Sequence, residues 1–193
     1  MSDYTIRLAR PADAADIAEI ARHTWEATYA HIIAKHNRQQ FLDRAYNHQA
    51  LCQAIERKGG WFFVALQQEK VIGFAQYLRR FDGQGELVRI YIHPAHHRRG
   101  VGRALLAIGL AALAAAGVTH CYVSVEENNT AARLFYERSG FRPHRTYGRF
   151  LGDQIIRLVE YTAPIASLLA RPGLRDSIEK RLAGYFDNVT SGW

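Results

Sequence analysis

The 193-residue chain carries 25 Lys and Arg against 18 Asp and Glu, for a net charge of +7, with 48% hydrophobic and 22% charged residues. That length fills one well-buried domain and leaves a second core cramped, and the near-average composition points away from disorder and from a membrane-embedded chain. The surplus of basic residues fits a phosphate-bearing ligand better than nucleic acid, because the arginines are scattered apart from one cluster at positions 98, 99 and 103 and lack the aromatic interleaving of a single-strand binder.

Residues 5–8 alternate like a short strand, and Arg10-Pro11-Ala12-Asp13 supplies a turn and an N-cap for a helix from about Ala14 to Tyr29. A second amphipathic helical stretch, with apolar positions at Phe41, Leu42, Ala45, Leu51, Ala54 and Ile55, runs until Gly59-Gly60 stops it. Residues 61–66 and 71–78 read as a hairpin across the polar segment 67–70, and residues 85–93 as a third strand, so an antiparallel meander is expected. An alanine- and leucine-rich helix follows over residues 100–116, ending at Gly117, and then a strand at 120–125. Strand, helix, strand implies a parallel crossover. A further helix is expected from Asn129 to about Gly140, and then β-like runs at 141–147 and 154–161. These elements make a mixed α/β sheet. After Pro164 the segment contains a helical-looking run, residues 176–182, and no interpretable motif.

The N-terminus has no signal-peptide apolar region, and the longest apolar stretch, 104–116, is too short to span a bilayer, so a cytoplasmic location is expected. Cys52 and Cys121 stand far apart without a second pair, and both are read as reduced and structural.

The most informative segment is IYIHPAHHRRGVGRALL at residues 90–106. Between strand and helix the chain must reverse and expose the first free N–H groups of the helix, which attract anions. Gly100 and Gly102 let the backbone approach a phosphate, and Arg98, Arg99 and Arg103 add attraction, although two glycines beside arginines also describe an ordinary tight turn. The three spaced glycines of a Rossmann turn and the Gly-Lys-Ser/Thr of a Walker A loop are both missing.

With its proline two residues after the strand and its spacing to the glycines, the segment resembles motif A of the GNAT superfamily of N-acetyltransferases: strand, x, Pro, x, x, Gln or Arg, x, x, Gly, x, Gly or Ala. His97 departs from it at the Gln/Arg position, and Arg98 stands where glycine is frequent. Downstream, VEENNTAARLFYERSGFRPH at residues 125–144 resembles motif B, with Asn129, Ala132, Tyr136, Gly140 and Phe141 on the matching positions. Two motifs in the right order imply the GNAT fold, a central mostly antiparallel sheet with one β-α-β crossover flanked by helices. The domain then covers residues 1–163, with residues 164–193 as a helical extension packed on it.

The resemblance implies acetyl-CoA as co-substrate and no metal. The strand end Tyr91-Ile92 and the turn from His97 through Arg98, Arg99, Gly100, Val101, Gly102 and Arg103 would hold it, with Asn129 on the pantetheine arm. A strand amide near Ile92 would face the thioester oxygen where this strand splays from the next. Transfer to an amine needs a base, an oxygen donor and an acid near sulfur; Tyr136 is the expected acid, and Glu86 the expected base with Glu126 as competitor. The bland readings are a partly buried aromatic for Tyr136, a helix N-cap for Asn129 and surface ion pairs for the carboxylates. His93, His96 and His97 read as turn residues beside the phosphate. Trp25, Tyr29 and Phe41 stand where the family builds one wall of the acceptor pocket, though helical spacing suits core packing. The acceptor is a small-molecule amine or a protein amino group, a homodimer is the partner to consider, and neither membrane nor nucleic acid is expected. The rival reading is a GNAT-fold module that binds acetyl-CoA as a sensor without transfer.

Overall fold

The computed structural model describes residues 4–181. Seven strands form one sheet in the order β1-β2-β3-β4-β5-β7-β6. These are β1 (Thr5–Leu8), β2 (Gly60–Gln67), β3 (Lys70–Arg79), β4 (Gly85–Ile92), β5 (His120–Glu126), β6 (Arg142–Leu151) and β7 (Gln154–Pro164). Every pairing is antiparallel except β4 with β5. The meander and the crossover thus stand where the periodicities put them, and the fold is the expected mixed α/β one.

The central strands β2 and β3 are buried on both faces, which is why they read as unbroken apolar runs. Period-two alternation sends Phe62, Val64 and Leu66 to one core and Phe63 and Ala65 to the other. The first core is closed by α1 (Ala14–Tyr29), α2 (Lys35–Ala45) and α3 (His48–Ile55). The second is closed by α4 (Val101–Ala115) and α5 (Thr130–Ser139). α4 is buried almost all round because α6 (Ile165–Leu169) and α7 (Pro172–Arg181) cover it, with Ile165, Leu168 and Leu174 in the same core. Of the helical run expected at 176–182, Leu182 lies outside the described residues.

Two local expectations are corrected. The single helix expected before Gly59 is two helices, because Asn47 breaks it: its Oδ1 accepts from Ala50 N–H at 2.9 Å to start α3, while its Nδ2 donates to the carbonyls of Asp43 and Arg44 at 2.9 and 3.0 Å. Asp13 does not cap α1 with its side chain. Its carboxylate instead takes both guanidinium nitrogens of Arg7, at 2.7 and 2.8 Å, and the Arg10 N–H at 2.7 Å. A strong cation nearby outcompetes the helix amides for the same oxygens.

The β6–β7 hairpin is fastened over the end of α1. Asn37 donates to Asp153 at 2.7 Å, Gln154 donates to Ile32 O at 2.8 Å, and Leu151 packs with Trp25 and Ile33. Arg38, 5% exposed, holds α2 to α1 through a two-pronged pair with Glu26. These ties bring the α1 end, the hairpin and the mouth between β4 and β5 together. Among the described residues, no helix is long and apolar enough to cross a membrane.

Candidate active site

The parallel partners β4 and β5 pair only at Gly85–Cys121, Glu86–Tyr122 and Leu87–Val123. Both strands then continue, β4 to Ile92 and β5 to Glu126, without pairing, so a wedge opens beyond Leu87. A bulge accompanies the opening: Arg89 opposes Gln76 and Leu87 opposes Tyr77, leaving Val88 unmatched. Beyond the bulge, β4 remains hydrogen-bonded to β3. His93 N–H donates to Ile72 O at 2.9 Å, and in an antiparallel ladder the neighbouring residue turns its peptide groups the other way. Ile92 and, two residues back, Ile90 therefore aim their N–H groups into the wedge, about 6.6–6.8 Å apart along the strand.

The wedge leads to a helix N-terminus. Ala104 N–H to Gly100 O at 3.0 Å is the first hydrogen bond of α4, so the amides of Val101, Gly102 and Arg103 precede it unsatisfied. Gly100 caps the helix at φ +81°. Arg98 is also left-handed, at φ +61°, a conformation that disfavours a side chain and suits the glycine it replaces. Gly102 serves close packing: a Cβ there would stand 3.1 Å from Ile92 Cδ1. A diphosphate fits these amides, with Arg98 and Arg99 exposed at the turn.

Several side chains singled out in the sequence are occupied elsewhere. The ring of Tyr91 faces the other core, against Phe74 at 5.4 Å, and its hydroxyl accepts from Trp25 Nε1 at 3.0 Å, so only its backbone borders the wedge. Burial first, and then the neighbouring Tyr46 and Tyr29, push the Tyr91 phenol well above its ordinary value. His97 Nε2 donates to Ile92 O at 2.9 Å, tying the turn to the strand end. The side chain of Val101 is buried, and the Arg103 guanidinium lies 3.2 Å from where a Cβ on Gly173 would sit, against the start of α7.

Tyr136 lies on the α4 side of the sheet, 5% exposed, its ring 5.2 Å from Phe135 and 5.7 Å from Phe141. Its hydroxyl bonds to none of the described residues. Burial chiefly, with Tyr29 and Cys121 adding to it, holds the phenol far above its ordinary value, so the proton stays on oxygen. Asn129 is an N-cap: its Oδ1 accepts from Ala132 N–H at 3.1 Å. Its Nδ2 donates to the Tyr29 hydroxyl at 3.3 Å, joining the end of α1 to the start of α5. Tyr29 therefore reaches the wedge, whereas Trp25 and Phe41 stack at 4.4 Å in the core. The carboxylates differ. Glu126, 5% exposed, spends its oxygens on Asn128, accepting from its N–H at 2.8 Å and its Nδ2 at 3.0 Å. The Glu86 carboxylate, by contrast, has no hydrogen bond or ion pair to a described residue. It lines a cleft of about 520 Å³ on the face opposite α4, shared with Ser124, Tyr147 and Glu160. Residue type gives no sign of this cleft, which segments far apart in the chain line together, nor of the Ile90 amide, which depends on a bulge and a strand separation.

The acetyltransferase (GNAT) family model matches residues 16–141. Spermidine N(1)-acetyltransferase of Thermoplasma acidophilum is 26% identical over 140 residues, covering 70% of this chain and 86% of that protein. Mycothiol acetyltransferase of Gordonia bronchialis is 38% identical over 114 residues, but the match spans 52% of this chain and only 37% of that longer protein. Among solved structures, the PaiA N-acetyltransferase of Thermoplasma acidophilum in complex with coenzyme A superposes with a TM-score of 0.72 at 24% identity, covering 81% of this chain and 97% of that one. The Escherichia coli ribosomal-protein-S18-alanine N-acetyltransferase gives 0.64 at 22% identity, covering 84% and 94%. With the family model spanning well over half of its length and the same architecture in solved relatives, the chain belongs to the acetyltransferase (GNAT) family.

Proposed function

We propose that the protein transfers the acetyl group of acetyl-CoA to a primary amine by direct attack within a ternary complex. The observation that carries this reading is the β4–β5 wedge, with the Ile90 and Ile92 amides turned into it and the free N–H groups of α4 at its outer end. Acetyl-CoA supplies an activated thioester when bound. Its diphosphate belongs at the amides of Val101, Gly102 and Arg103, since a helix N-terminus favours anions. That placement directs the thioester inward toward Leu87, where the Ile90 N–H is the nearer donor to the carbonyl oxygen and the Ile92 N–H meets the arm.

The two proton transfers fall to residues on opposite faces of the wedge. The Glu86 carboxylate borders the open cleft without a partner among the described residues and takes the proton from the incoming amine. Tyr136, on the α4 side, keeps its proton because it is buried and gives it to the departing thiolate. Glu126 is committed to Asn128, which favours Glu86 as the base. Thiol release from acetyl-CoA against a panel of amines tests the proposal. Tight coenzyme binding without turnover on any acceptor would replace it with the sensor reading.

A further inference from the structure

The charges lining the cleft at Glu86 are not balanced locally. Glu160, 5% exposed, is already held by Arg145 at 2.7 Å and by Arg80 at 3.4 Å, and Arg80 Nε also lies 3.5 Å from Asp82. The Arg80 guanidinium rests over the Tyr122 ring at 4.6 Å, which fixes it further. Three charged groups of the lining remain without an ion pair among the described residues: Arg57 and Arg79, both exposed, and Glu86. Arg57 comes from the α3–β2 connection and Arg79 from the end of β3, while Glu86 lies beside the last β4–β5 pair, where the wedge begins. The cleft lining therefore combines a carboxylate beside the last β4–β5 pairs with two guanidiniums that no described carboxylate neutralises.

We propose that the acceptor is a small zwitterionic amine, one that carries a carboxylate a few atoms from the reacting nitrogen, with the carboxylate on Arg57 and Arg79 and the nitrogen toward Glu86. This rests on the acetyltransferase reading of the same site. A cleft of about 520 Å³ suits a molecule of that size. Guanidinium forks match a carboxylate in geometry as well as charge, and they repel a second ammonium. A polyamine would set cationic nitrogens against Arg57 and Arg79, with Glu86 as the one unpaired carboxylate of the lining.

The test compares matched pairs in acetyl-CoA assays: phenylalanine with phenethylamine, leucine with isoamylamine, lysine with cadaverine, and spermidine as the polycation. The carboxylated member of the preferred pair is expected to have a kcat/KM at least tenfold higher. In Arg57→Ala/Arg79→Ala that ratio falls toward one, and Arg57→Lys/Arg79→Lys recovers part of it. Melting temperature and coenzyme affinity serve as controls for folding and for the donor site. Preference for spermidine or for the decarboxylated amines overturns this inference and leaves the transferase reading standing. If no amine is acetylated although acetyl-CoA binds, the transferase reading fails, and calorimetry of the same pairs on the coenzyme A complex still decides: equal binding within each pair overturns the charge assignment, while binding of the carboxylated members that the double Ala variant abolishes upholds it.

Discussion

Tyr136→Phe separates chemistry from structure with unusual cleanness. The ring contacts at Phe135, Phe141 and Tyr161, with centroids 5.2, 5.7 and 6.4 Å away, survive in phenylalanine. The lost oxygen has no hydrogen-bond partner among the described residues, so its removal orphans no buried group, and the usual cost of about 1–3 kcal/mol for such an orphan does not arise. Thermal stability should be unchanged or slightly raised. Turnover should fall at least tenfold, about 1.4 kcal/mol of transition-state stabilisation, because the departing thiolate loses its proton donor. The coenzyme dissociation constant should stay the same. Thiol release at saturating acetyl-CoA, calorimetric coenzyme titration and a thermal melt measure the three. An unchanged kcat would refute the acid role, and a lowered melting temperature would refute the claim that the hydroxyl carries no structural load.

Tyr161→Phe makes the contrasting variant: its hydroxyl accepts from Arg133 Nε at 3.0 Å and donates to Glu137 at 2.8 Å, so denaturant unfolding should show a loss of about 1–3 kcal/mol with coenzyme affinity retained. Gly102→Asp should weaken coenzyme A binding in calorimetry by more than Gly102→Ala does, since both place a Cβ 3.1 Å from Ile92 Cδ1 and only the first brings a negative charge to the α4 amides; equal losses would mean that packing alone decides. For Asp13, burial raises the carboxyl pKa, but the Arg7 and Arg10 hydrogen bonds outweigh it and the net shift is downward from 3.8. A depressed folded value means that stabilisation is fully present above the unfolded pKa and lost as pH falls through the folded one. Melts of the protein and of Asp13→Asn should therefore differ at neutral pH and converge as the pH falls below the unfolded carboxyl value of about 3.9 and through the depressed folded one.

Much of the fold was legible because its signals are local. Apolar runs in β2 and β3, the alanine-rich stretch of α4 and the stops at Gly59 and Gly117 depend only on neighbours in the chain. The same holds for the anion-binding turn, whose spacing of proline and glycines reflects the reversal between β4 and α4. Where several groups compete for the same partner, residue type was not enough. Asp13 had the sequence of a cap and became the partner of Arg7, and Asn47 cut one expected helix into two. The carboxylates show it most clearly. Glu86 and Glu126 are equivalent candidates by residue type, and only packing separates them, since Asn128 folds back onto one and the other is left facing a cleft.

By itself, then, the order of residues determined the family, the sheet with its single crossover, and the turn that offers its amides to an anion, all of them patterns repeated over short stretches of chain. The tertiary structure alone decided where β4 leaves β5, which amides that separation frees, and which charges around the cleft remain without partners among the described residues. Those features arise from pairing between segments far apart in the chain, which no local periodicity encodes.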